Sequence, residues 1–208
     1  MNKNNSPYTA SITGGGFLFE ETIILLPLLQ ATNSKELLNK EKVNNNLLQI
    51  NTETSRTRAI VEIKRRYDAM PASFWDDFQK MSDNDKISAL FYVILKTYKI
   101  CFDLHVNVTI KKWNSISKSV IKEDLLMEIY EISAKDKFVD SWSDNTKNKV
   151  ATAYLTILRK IGILDRENHL NSLTCSNFDY YLTIGEPWFL DACLLQPYEI
   201  ENIKKTMI

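Results

Sequence analysis

The sequence predicts a mainly α, multi-helix globular protein. Three observations carry that expectation. Only 5 Gly and 5 Pro occur in 208 residues, too few for an architecture of short strands and tight turns. Apolar residues make up 44 %, enough to supply a core. Successive stretches also place apolar residues at helical spacing behind a Ser, Thr, Asp or Asn suited to capping. The length suits one large domain or two small ones.

Taken in order, residues 1–13 form a polar lead-in, expected to be partly mobile. "TGGG" (13–16) then opens an apolar helix over about residues 17–30. Glu20 and Glu21 fall in its first turn, where carboxylates complement the helix dipole. "TNSKELLNKEKV" predicts a shorter helix capped by Asn33 or Ser34, with Leu37 and Leu38 inward. Three asparagines at 44–46 favour a turn. "TETSRTRAIVEIKRRY" (52–67) predicts a third helix, with Thr54 or Ser55 as its N-cap. Ala59, Ile60, Ile63, Tyr67 and Met70 share one face; Arg58, Glu62 and Arg65 share the opposite one. Arg66 flanks the apolar stripe, where its stem packs and its head snorkels.

"PASFWDDFQKM" starts a fourth helix, with Pro71 near its beginning. "SDNDKISALFYVILKTYKICFDLHVNV" reads as one central helix, capped by Ser82 or Asp83 and apolar almost throughout. "KSVIKEDLLMEIYEIS" supplies another. In "SWSDNTKNKVATAYLTILRKIGIL" (141–164), Asp144 or Thr146 caps a helix carrying Val150, Tyr154, Leu155, Leu158 and Ile161. Gly162 stands where a helix ends in the left-handed conformation. "IL", the polar "DREN" and then "HLNSL" fit a short β-hairpin. Helix, glycine, apolar pair, turn and strand is the order of a winged helix-turn-helix, so residues 136–208 are expected to be winged-helix-like. The tail adds one last short helix.

Catalytic chemistry is not indicated. The two histidines, His105 and His169, have no Cys or carboxylate at metal-ligand spacing, and GxSxG, HExxH and P-loop patterns are missing. "TGGGF" has amides suited to a phosphate but lacks the P-loop Lys-Ser/Thr. Cys101, Cys175 and Cys193 show no ligand or disulfide pattern and read as buried free thiols. The expectation is a non-enzyme without cofactor, metal or small-molecule substrate. "FLFEETIILLPLL" (17–29) falls short of the ~20 residues of a spanning helix and is interrupted by Glu20, Glu21 and Pro27. With no signal-peptide-like opening, a cytoplasmic protein without membrane contact is expected.

Lys and Arg number 26, as do Asp and Glu, so net charge indicates no polyanionic partner. The distribution is uneven. Residues 52–67 hold five cations and two anions; residues 146–160 hold Lys147, Lys149, Arg159 and Lys160 with no acid. Each basic helix follows a Ser/Thr/Asp cluster, and helix starts with such side chains suit phosphates. Solvated amphipathic faces are the plainer alternative for both helices.

Three segments carry a family resemblance. "YTASITGGGFLFEETIILLPLL", "NNLLQINTETSRTRAIVEIKRRY" and "SWSDNTKNKVATAYLTILRKIGIL" resemble the BrxA family of bacteriophage-exclusion (BREX) phage-defence systems. The resemblance implies a helix-turn-helix-like N-terminal part (1–70), a central helical core likened to the antitermination factor NusB (71–135) and the winged-helix-like C-terminal part. It also implies double-stranded DNA binding without catalysis, alongside other BREX proteins. By motif, the DNA contacts fall on Ser55, Arg56, Arg58 and Arg65, and on Asn145, Thr146, Lys147 and Lys149. Overall neutrality departs from strong independent DNA binders and implies salt-sensitive binding or completion by partners. A protein-interaction scaffold and an RNA-binding NusB-like factor are the other readings.

Overall fold

The structure, a computed structural model, describes residues 5–205. The first four residues of the expected mobile lead-in lie outside the described residues. A 3-10 turn, Ser11–Gly14, leads into α1 (Phe19–Gln30) through Gly16 and Leu18, both in the left-handed region. Glu20 and Glu21 stand in the first turn of α1, as the sequence implies. α2 (Ser34–Asn44) ends at a left-handed Asn45. α3 (Glu53–Asp68) starts earlier than expected. Its cap is Thr52, not Thr54 or Ser55, because the extended Thr52 side chain accepts the Ser55 N–H. These three helices enclose their own cluster: Leu25, Leu29, Leu38, Leu48, Ile60 and Ile63.

α4 (Ala72–Lys80) follows Pro71. α5 (Asp83–Thr97) is capped by Ser82, whose side chain accepts the Asp85 N–H. Residues 88–95 of α5 are all buried, so this helix is central. The single long helix expected here is broken at Tyr98, which is extended (φ −117°). Its hydroxyl is held by Glu62 and Arg66 of α3, and that pull from another element is invisible to local periodicity. The chain resumes as α6 (Lys99–Leu104), a π-helical segment (His105–Ile110) and α7 (Lys111–Trp113).

α8 (Lys122–Lys135), α9 (Lys137–Asp140) and α10 (Asp144–Lys160) come next. Ser143, rather than Asp144 or Thr146, caps α10 by accepting the Thr146 N–H. Gly162 ends it with φ 82°, as its position implies. The expected hairpin is reduced to isolated antiparallel bridges. Leu164 pairs with Leu170 around the 165–168 turn, and Ser119 pairs with His169. The paired stretches are too short for strands, and a loop from the middle of the chain takes the outer edge. Instead of one last helix, the tail forms α11 (Asp179–Thr183), α12 (Trp188–Ala192) and α13 (Pro197–Lys205). The main core runs from Ile12 to Leu195 and draws on all the helices but α2. All three cysteines are free; Cys101 and Cys193 are buried and Cys175 half-buried.

Candidate functional site

Both basic helices pack on the glycine turn. The 3-10 turn touches α3 on one side and α10 on the other. Between them lies an open groove of about 540 Å³. Arg58 and Glu62, one helical turn apart on α3, form one wall; Lys149 of α10 forms the other; Ser11, Thr13 and Gly14 line the floor. Arg58 and Lys149 are exposed, and among the described residues neither takes part in a salt bridge. Among the described residues, Ser11 Oγ is the one buried side-chain polar atom without a hydrogen-bond partner.

Glu62 does not lie on the outward face expected of it. It is 5 % exposed, accepts a hydrogen bond from the Tyr98 hydroxyl (2.8 Å), and its carboxylate is 3.6 Å from Arg65 Nε. Its charge is therefore partly compensated. Arg65 remains half exposed beside it. Arg66 is structural, and more deeply so than snorkelling implies. It is fully buried, donating to Phe17 O (2.6 Å), Gly16 O (2.5 Å) and Tyr98 Oη (3.0 Å). It fastens the glycine turn to α3 and to Tyr98 just past α5.

Two residues expected to contact DNA are instead internal. Arg56 is 5 % exposed, and its guanidinium donates to Lys42 O (2.7 Å), Ile50 O (2.7 Å) and Val43 O (3.4 Å). Lys42 and Val43 belong to the last turn of α2, whose carbonyls have no donors within the helix. A cation is also favoured there by the helix dipole. Lys147 is buried against α8, with Nζ 5.0 Å from the Tyr130 ring centroid. The others stand at helix starts. Ser55 is exposed, but its N–H is taken by Thr52, whose hydroxyl also donates to Ser55 Oγ. Asn145 is exposed in the first turn of α10. Thr146 shares a hydroxyl hydrogen bond with Ser143.

Of the eight expected residues, the structure thus brings Arg58 and Lys149 into one groove, with Arg65 adjacent. Sequence reasoning missed Ser11, Thr13 and Thr57 as lining residues. The available signal was "TGGG" itself, weighed as a phosphate holder at the start of α1, whereas its turn lies between α3 and α10. Among the described residues no cluster of His, Cys, Asp and Glu is placed to hold a metal ion. No helix among them is long and apolar enough to cross a membrane.

A crystal structure of an uncharacterized protein from Magnetospirillum magneticum has the same fold. The TM-score is 0.76 at 22 % identity, over 91 % of this chain and 98 % of that one. No curated protein matches this sequence significantly. The BrxA family model matches residues 6–177. That span takes in the glycine turn, both basic helices and the bridged hairpin, and the chain belongs to the BrxA family of bacteriophage-exclusion (BREX) phage-defence systems.

Proposed function

We propose that the chain is a non-enzymatic accessory protein of BREX defence that binds double-stranded DNA mainly through its phosphate backbone. One observation carries the reading. Arg58 and Lys149, far apart in sequence, meet across one groove with no carboxylate partner. Two cations free of salt bridges and held on separate helices have a fixed spacing, which suits successive phosphates of a stiff polyanion, while the neighbouring Glu62 is engaged by Tyr98 and Arg65. The hydroxyl of Thr57 beside them is a natural phosphate donor. In a winged-helix-like arrangement, α10 would lie along the duplex.

The test is fluorescence anisotropy with two unrelated duplex sequences at two salt concentrations. The variant is Arg58→Glu with Lys149→Glu, its fold checked by circular dichroism. Affinity should fall for both sequences alike. Removing two phosphate contacts should also flatten the salt slope by about 2. Unchanged affinity in a folded variant would overturn the reading. Equal competition by RNA would move it toward an RNA-binding factor. Loss of capture by other BREX proteins with DNA affinity retained would move it toward a protein-interaction scaffold.

A further inference from the structure

We propose that the loop at residues 114–118 is a minor-groove wedge, inserting Ile116 between base steps and kinking the bound duplex. The inference rests on the duplex-binding reading and adds deformation of the DNA to it. Ile116 is the most exposed large apolar side chain among the described residues. Leaving such a side chain in water forgoes the free energy of its burial. Yet the loop that holds it out is pinned at both ends. At its start, Asn114 Nδ2 donates to Ile110 O (3.1 Å) and Ser115 Oγ to Lys112 O (2.7 Å). At its end, Leu170 N–H donates to Lys118 O (2.7 Å) and Val120 N–H to Asn168 O (3.1 Å).

The segment that carries the loop fits nucleic acid. Residues 104–122 contain no Asp or Glu and four lysines. Lys112 is paired with Asp124 (2.7 Å), and Lys111 shares a recess with Glu128 and Glu131. Lys118, next to the tip, takes part in no salt bridge among the described residues, and its Nζ rests 4.1 Å from the Trp113 ring centroid. Asn and Lys beside an exposed aliphatic side chain are the chemistry of minor-groove wedges. The hairpin tip is less suited to a phosphate, because Asp165 and Glu167 flank its single Arg166. The neighbouring loop takes the role a wing would have.

α10 joins this loop to the groove. Asn145, Lys149, Thr152, Thr156 and Arg159 recur at spacings of three and four and are exposed, with no carboxylate among them. From Lys149 to Arg159 the helix rises about 15 Å. Arg159 Nη2 then donates to Asn168 Oδ1 (2.6 Å), whose residue also holds the root of the loop. One end of α10 thus lines the groove and the other is bonded to the residue at the root of the loop.

The test uses the full chain and a duplex of about 30 bp, long enough to report a bend, labelled at both ends for resonance energy transfer. Wild-type protein at saturation should raise transfer, as a kink of about 60° or more, within the range wedges produce, shortens the end-to-end distance. Ile116→Ala should bind with near wild-type anisotropy and lose most of that rise. Because the side chain is fully exposed, folding should be unaffected. Wild-type binding without a rise, or a full rise with Ile116→Ala, overturns the wedge and leaves duplex binding standing. No binding by anisotropy overturns both.

Discussion

Arg56 looks from its spacing like an outward phosphate contact and is in fact an internal fastener. Three backbone carbonyls of α2 and the following turn converge on its guanidinium. Arg56→Ala would leave them without donors, at a cost of about 3 kcal/mol. Urea denaturation should show that loss, while the folded fraction keeps its duplex affinity. A stable variant with weakened DNA binding would return Arg56 to the contact set. His105 gives a pH-dependent prediction of similar kind. Burial pushes its imidazole down to about 4, against 6.5 ordinarily. Its Nε2 faces Ala192 O (2.8 Å), which only accepts, so Nε2 carries the proton and Nδ1 accepts from the Tyr154 hydroxyl (2.6 Å). The unfolded chain protonates first on acidification. His105 therefore supports folding fully above about pH 6.5 and loses that contribution as pH falls toward 4, up to about 3 kcal/mol. Chemical denaturation at pH 7 and pH 4.5 should show a stability difference that shrinks in His105→Gln. An unchanged difference would show that other groups govern acid sensitivity.

At the scale of elements, α10 has a defined stop. Gly162 sits at φ 82°, and a Cβ added there meets nothing within 4 Å. Gly162→Ala should thus cost only the backbone strain of the left-handed region, about 1–2 kcal/mol. A thermal melt with little or no loss would show that the helix end relaxes. That stop was legible in the sequence, as were the helices themselves, since apolar spacing and capping residues are local signals. The caps were misplaced where Ser, Thr and Asp cluster: Thr52 acts in place of Thr54 or Ser55, and Ser143 in place of Asp144 or Thr146. Within a cluster, only the backbone conformation selects the cap. The break at Tyr98 was hidden because apolar residues continue on both sides of it. The site was legible in part for a related reason. Spacing tells which residues share a helix face, but not what packs against that face. Glu62 and Arg56 are drawn inward by Tyr98 and by the end of α2, and Lys147 by Tyr130. Arg58 and Lys149 have no such neighbour and stay outside, and it is the glycine turn that brings them together.

At the scale of the molecule, the question is whether α1, α2 and α3 form a separate folding unit. They enclose their own small cluster, which favours separation. The contacts across its boundary argue otherwise. On α1, Leu25 belongs to the small cluster and the adjacent Leu26 to the main core. Tyr67 of α3 packs against both, stacks on Trp75 of α4 (5.4 Å between ring centroids), and accepts the Trp75 indole N–H at its carbonyl. Arg66, fully buried, ties α3 to Tyr98 and to the turn before α1. Freeing the first seventy residues would expose Trp75 and strand a buried guanidinium, so partial unfolding should lie close in free energy to global unfolding. Urea unfolding followed by tryptophan fluorescence and by far-ultraviolet circular dichroism should therefore coincide in one transition. Trp75 reports the boundary and Trp142 the entry to α10, so the fluorescence samples both sides. A helical signal lost ahead of the fluorescence change would show the three helices opening alone. The groove between α3 and α10 would then be a joint between two units, and Arg58 and Lys149 would no longer hold the fixed spacing on which phosphate recognition depends.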